Sequence, residues 1–146
     1  MSNIAIPAEI DFANLNVLTI DDAPFMLKMI ERSLGMAGIS KILTAKNGVE
    51  ALDVIANNVD IDLIICDLEM PEMDGFEFVR TLRFNTNEVC AKIPVIILTG
   101  NGQMQNFHDS IDLGISGFVE KPITIEILKQ QIINALTTPF ISPPVI

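Results

Sequence analysis

Five short runs rich in Val, Ile and Leu recur along the chain, at 15–20, about 40–44, 62–66, 94–98 and 116–119, each of strand length. Between them, apolar residues fall at helical spacing, as in Met26, Leu27, Ile30, Leu34 and Met36, or Ile125, Leu128, Ile132, Ile133 and Leu136. Strand and helix therefore alternate along the whole chain. The strongest runs, "LIIC" at 63–66 and "VIIL" at 95–98, are continuously apolar rather than alternating, the pattern of strands covered by helices on both faces. The pattern predicts an α/β domain with a five-stranded parallel sheet, doubly wound, and five helices. In such a sheet, ligands bind outside the carboxyl ends of the strands, which fixes where chemistry should be sought.

Punctuation supports these divisions. Pro24 suits the first turn of a helix, Gly35 or Gly38 can end it, Asn47 and Gly48 open the second, and Gly114 closes the fourth. Residues 1–14 form an N-terminal extension, 15–137 the domain, and 138–146 an apolar tail whose three prolines exclude continued helix. The tail's Phe140, Ile141, Val145 and Ile146 could dock on the domain, on a second copy or on a target.

A length of 146 residues fits one domain able to bury a core without staples. With 9 basic against 19 acidic side chains the net charge is −10, which repels phosphate backbones and anionic lipid and argues against direct nucleic-acid binding. Cys66 and Cys90 follow no metal spacing, and Cys66 lies in an apolar run where cysteine acts as a small hydrophobe. No basic segment precedes an apolar stretch at the start, and no apolar run approaches the roughly 18 residues of a membrane span. A cytoplasmic protein without a membrane partner is expected.

The first strand runs into Asp21 and Asp22, the third into Asp67, the fourth into Thr99, and the fifth approaches Lys121. In a parallel sheet these ends share one edge, so three carboxylates, a hydroxyl and an ammonium converge. Clustered carboxylates repel one another unless a cation intervenes, and Mg²⁺, which takes one or two carboxylates plus a phosphate oxygen, is the natural cofactor. Asp67 could then be more than a ligand, since an aspartate carboxylate can attack phosphorus while a cation, a lysine and a hydroxyl stabilise the equatorial oxygens. Each residue alone has a plainer reading: Asp21 a surface or cap residue, Asp22 an N-cap, Asp67 a turn opener, Thr99 a strand end, Lys121 a loop lysine. Their joint occurrence at successive strand ends favours a site.

The ordered segments "VLTIDD", "LIICDLEMPEMDGFEFVR", "PVIILTG" and "GISGFVEKPI" resemble the receiver domain of two-component response regulators, the family that includes the chemotaxis regulator, over about residues 15–137. The resemblance implies a flavodoxin-like fold, with Asp67 as phosphoacceptor and with Asp21, Asp22, Asp67 and the backbone carbonyl of Glu69 around Mg²⁺. It implies that Lys121, Thr99 and the backbone amides of Leu68 and Gly100 stabilise the phosphoryl group. Thr99 and Phe118 match the switch pair, Phe118 filling the space left when Thr99 moves inward. The phosphoryl donor would be a sensor histidine kinase or a histidine phosphotransfer protein, the output a downstream protein.

On this reading the chain is a stand-alone receiver and not an enzyme beyond self-catalysed phosphoryl acceptance and autodephosphorylation. A homodimer through the fourth helix, fifth strand and fifth helix, or through the tail, stays open. His108, the only histidine, falls in the expected fourth helix away from the acidic edge and suits a phosphohistidine donor poorly. Gly100 and Gly102 around Asn101 suggest a loop with low conformational cost. Two other readings stand beside it. One is a receiver-like interaction module that works without phosphorylation; the other is a Mg²⁺-dependent phosphatase with an aspartyl phosphate, which would want an aspartate where Glu69 stands. The Glu72 and Asp74 carboxylates read as turn and cap residues.

Overall fold

The computed structural model describes residues 10–58, 60–100 and 114–137. A 3₁₀ turn, Phe12–Asn14, precedes the first strand. The strands are β1 (Asn16–Ile20), β2 (Lys41–Ala45), β3 (Leu63–Asp67), β4 (Val95–Thr99) and β5 (Gly117–Glu120). The helices are α1 (Pro24–Met36), α2 (Gly48–Asn57), α3 (Gly75–Arg83), the single turn α4 (Glu88–Ala91) and α5 (Ile125–Thr137). All neighbouring strands are parallel, in the order β2-β1-β3-β4-β5. The expected doubly wound sheet is present; β2 to β5 each lie one residue later than the apolar runs alone suggest, and β1 starts one residue later but ends at the same Ile20. That shift brings Asp67 and Thr99 into their strands as the last residues.

Both faces of the sheet are covered, which is why β3 and β4 read as unbroken apolar runs and are buried at every position. On one face Leu18, Ile64, Cys66, Ile97 and Phe118 pack with Ala51 and Ile55 of α2 and Phe78, Val79 and Leu82 of α3. On the other, Val17, Leu63, Ile65, Ile96 and Leu98 pack with Ile30 and Leu34 of α1 and Leu128 and Ile132 of α5. β2, at one edge, is exposed at Lys41, Leu43 and Thr44.

Local chemistry sets the boundaries. Helix α1 starts at Pro24, whose missing N–H is no loss in the first turn, and ends where Gly38 (φ 102°) donates to Gly35 O and Ile39 to Leu34 O. Asn47 caps α2 by accepting from the Glu50 amide at 2.7 Å. Met36, grouped by spacing with the core of α1, is instead exposed, because it sits in the last turn as the helix leaves the sheet. Turn α4 is an addition to the expected pattern, nucleated by Asn87, whose side chain accepts from Val89 and Cys90. The helix expected between β4 and β5, with His108, Asn101 and Gly102, and both chain ends lie outside the described residues. Among the described residues no helix is long and apolar enough to cross a membrane.

Candidate functional site

At the carboxyl edge of the sheet, the central strands β1 and β3 deliver their acidic residues side by side. Asp21 and Asp67 are buried, Asp22 is exposed, and one carboxylate oxygen from each of the three lies within 4.8 Å of the others. Asp21 is no surface residue: its Oδ1 accepts from the Ala23 amide at 2.9 Å, closing the turn into α1. Asp22 does not cap α1. The N-cap is Ala23, without a side-chain hydrogen bond, because the proline at the first helical position follows it directly. Asp21 thus keeps a turn-closing role while being buried, the N-cap reading of Asp22 is removed, and Asp22 is exposed beside two buried carboxylates.

Lys121, just after β5, reaches across the edge. Its Nζ lies 2.8 Å from Asp67 Oδ1 and 3.7 Å from Asp21 Oδ2. Its backbone N–H donates to Thr99 O at 2.7 Å, so the lysine and the end of β4 are held together. Thr99 is fully buried and its hydroxyl donates to Gly100 O at 3.3 Å.

Electrostatics follow from burial. Desolvation pushes the Asp67 carboxyl above the usual range, with Asp21 and Asp22 adding to the rise and the Lys121 hydrogen bond opposing it. Burial works to lower the Lys121 ammonium, but Asp67, then Asp21 and Glu69, outweigh it and leave it raised. One cation is shared by more carboxylates than it can satisfy. Asp21 Oδ2, fully enclosed, accepts no hydrogen bond among the described residues and has the Lys121 ammonium 3.7 Å away. A buried carboxylate oxygen left so, beside two further carboxylates, is the donor set a hard divalent cation fits.

The segment after Asp67 is shaped to keep this edge open. Gly75 donates to Leu68 O at 2.8 Å, and a Cβ there would lie 2.9 Å from Asp67 O and 3.0 Å from Leu68 Cα. Glu72 adopts φ 70° at the centre of a γ-turn closed by Met73 N–H on Pro71 O at 2.7 Å. Asp74 and Glu77 form a reciprocal capping box on α3. Glu72 and Asp74 are thus turn and cap residues.

One expectation changes, that for the Leu68 amide. The Leu68 amide donates to Leu98 O at 2.8 Å, extending the β3–β4 ladder past Asp67, so it is already committed rather than aimed at a phosphoryl oxygen. Phe118 is buried, 7% exposed, and stacks on Phe76 with ring centroids 6.1 Å apart. Phenylalanine has no hydroxyl to draw the ring toward water, and α3 supplies an aromatic partner. Phe76 was not singled out from the sequence; its place in "GFEF" reads only as apolar helix.

Residues 17–133 match the family model described as the response regulator receiver domain. A chemotaxis protein CheY homolog of Campylobacter jejuni is 31% identical over 124 residues, covering 85% of this chain and 94% of the relative. Among solved structures, a response regulator receiver domain protein from Clostridium thermocellum superposes with a TM-score of 0.75 at 31% identity, covering 84% of this chain and 94% of that one. CheY4 of Vibrio cholerae does so at 0.70 and 31%, covering 81% and 95%. With this match over most of its length, and with strand-end acids and a lysine gathered on one edge of a doubly wound sheet, the chain belongs to the response regulator receiver domain family, the phosphorylation-dependent signalling switches of two-component systems.

Proposed function

We propose that Asp67 is the phosphoacceptor of this switch, loaded from a phosphohistidine on a histidine kinase or histidine phosphotransfer protein. The observation that carries this reading is the position of Asp67: buried at the end of the central strand, with Lys121 Nζ at 2.8 Å and two further carboxylates within 4.8 Å. Asp21, Asp22 and Asp67, with the Glu69 carbonyl, would hold Mg²⁺, which when bound supplies positive charge for the phosphoryl oxygens.

The chain's own residues divide the remaining work. The Asp67 carboxylate oxygen attacks phosphorus as the P–N bond to the donor imidazole breaks, the electron pair leaving on that nitrogen. Lys121, with its Nζ 2.8 Å from Oδ1, favours the ionised carboxylate that this attack needs and opposes the rise that burial causes. Lys121 then turns from the carboxylate to a phosphoryl oxygen, and the Thr99 hydroxyl and Gly100 amide donate to others. Water attack on phosphorus reverses the modification.

The switch is a redistribution between two packings. A phosphoryl group adds about 1.5 to 2 negative charges. A hydrogen bond from Thr99 to it is worth about 1.5 to 3 kcal/mol, a roughly ten- to hundredfold change in population. Ile97 pairs with Phe118 and Thr99 with Glu120, so by the pleat Thr99 and Phe118 lie on the same face of adjacent strands. Movement of Thr99 is therefore felt by the ring, and by the surface presented to a downstream protein.

Intact-mass measurement after incubation with acetyl phosphate and Mg²⁺ tests the reading. A single labile phosphate adduct, lost in Asp67→Asn, supports it. An adduct that persists in Asp67→Asn, or none at all, rejects Asp67 as the acceptor.

A further inference from the structure

Helix α3 carries two side chains that the phosphoryl chemistry leaves unused, both engaging the chain that leads into β5. Phe76 stacks on Phe118 with an interplanar angle of 20°. About two helical turns later, Arg83 is 9% exposed, an unusual setting for a guanidinium. Its Nε and one terminal nitrogen donate to Gly114 O at 3.3 and 2.7 Å. The other terminal nitrogen donates to Ala91 O at 3.1 Å and Ile93 O at 2.8 Å. Burial costs this cation enough to push its pKa down to about 10, and the three carbonyls offset that cost by satisfying a rigid fork of donors.

The carbonyls come from two separate connections. Ala91 and Ile93 lead into β4, and Gly114, in the left-handed region at φ 75°, leads into β5. From Gly114 the chain is short and tied: Ser116 N–H donates to Val95 O at 2.8 Å, Gly117 pairs with Ile96, and Phe118 follows. Arg83 holds the start of this segment and Phe76 its end.

We propose that Phe76 and Arg83 are positioning residues for the switch: from one rigid helix they hold the Gly114–Phe118 segment at two points and set the fraction of molecules with Phe118 seated in the core before any phosphoryl group arrives. The inference rests on Thr99 and Phe118 being the moving pair. It concerns the resting protein, so it is testable whether or not Asp67 is the acceptor.

The experiment places 4-fluorophenylalanine at position 118 of the full chain and records ¹⁹F spectra without phosphodonor, in H₂O and D₂O, for the parent, Phe76→Leu, Arg83→Gln and Arg83→Lys. Amide hydrogen exchange at Leu18 and Ile64, in β1 and β3, reports overall stability. The parent should show a core resonance with little solvent-isotope shift. Phe76→Leu keeps apolar volume but loses the ring, and should raise the solvent-exposed population about two- to twelvefold. Arg83→Gln should do likewise, with Arg83→Lys intermediate and β1 and β3 protection retained.

Ile30→Val, a core change on the opposite face, should leave the Phe118 signal unmoved. Unchanged ¹⁹F spectra in folded Phe76→Leu and Arg83→Lys would overturn the proposal. So would an exposed resonance that appears only in step with lost protection at Leu18 and Ile64, or one equally produced by Ile30→Val. If Arg83→Gln does not fold, the same criteria apply to Phe76→Leu and Arg83→Lys.

Discussion

Lys121 stands between Asp67 and Asp21, 2.8 Å from one carboxylate and 3.7 Å from the other. Its ammonium therefore occupies part of the field that a divalent cation would use, and on the proposed reading it yields Asp67 before that carboxylate takes a phosphoryl group. Lys121→Met should bind Mg²⁺ about two- to fivefold more tightly, the worth of a partly solvated ion pair. It should also form the phosphate adduct more slowly. Titration calorimetry with Mg²⁺ checks the first effect and mass-resolved kinetics the second; the chain has neither Trp nor Tyr to report either optically.

Stability without metal should depend on pH through the same residues. Because the folded state raises the Asp67 carboxyl, the native form holds its proton more tightly than the unfolded chain. The stability this gives is complete below the ordinary aspartate range and falls as pH rises through the raised value. Asp67→Asn should therefore be stabilised relative to the parent at neutral pH, the difference shrinking as the solution is acidified. Lys121, also raised, stabilises below the ordinary lysine range and loses that contribution as pH climbs through its folded value. Thermal melts in chelator across acidic, neutral and alkaline pH should show both limbs.

Gly75→Ala should cost about 1 to 3 kcal/mol, because the added methyl meets backbone rather than a yielding side chain. Its three nearest atoms are Asp67 O at 2.9 Å, Leu68 Cα at 3.0 Å and Ile97 Cδ1 at 3.2 Å. Relief requires displacement of the Asp67–Leu68 backbone, so adduct formation should slow even in molecules that remain folded. Urea unfolding paired with acetyl phosphate kinetics reads both outcomes.

Glu72→Gly should act in the opposite sense. The glutamate holds φ 70° in its γ-turn, a conformation glycine adopts without a Cβ penalty. Relief of that strain, less the added flexibility of the unfolded chain, should stabilise by about 1 kcal/mol. The melting temperature should rise by about 3 °C. An unchanged or lowered midpoint would show that the Glu72 side chain makes a compensating contact.

The sequence reveals most where a signal repeats. "LIIC" and "VIIL" are apolar at every position because helices cover both faces of β3 and β4, and the acids at strand ends stand out against them. Asp21 and Asp67 were legible for that reason. Arg83 was not: an arginine near the end of an amphipathic helix has the periodicity of a surface residue, and the carbonyls of Ala91, Ile93 and Gly114 that accept from it are supplied by distant connections. The commitment of the Leu68 amide depends on the ladder running one residue past Asp67, and the seat of Phe118 on a phenylalanine 42 positions earlier, relations that no local pattern carries. Met36 shows the converse, since periodicity continues through the last helical turn after the sheet beneath it has ended.

The strand order puts the acids and their cation on strands of unequal support. The acids issue from β1 and β3, each bonded to neighbours on both sides, whereas Phe118 and Lys121 belong to β5 and the loop after it, at a margin bonded to β4 alone. Yet Lys121 returns from that margin to within 2.8 Å of Asp67, so the strand with a single neighbour and a buried acid of the sheet's centre are tied together, and a disturbance at either should be felt at the other.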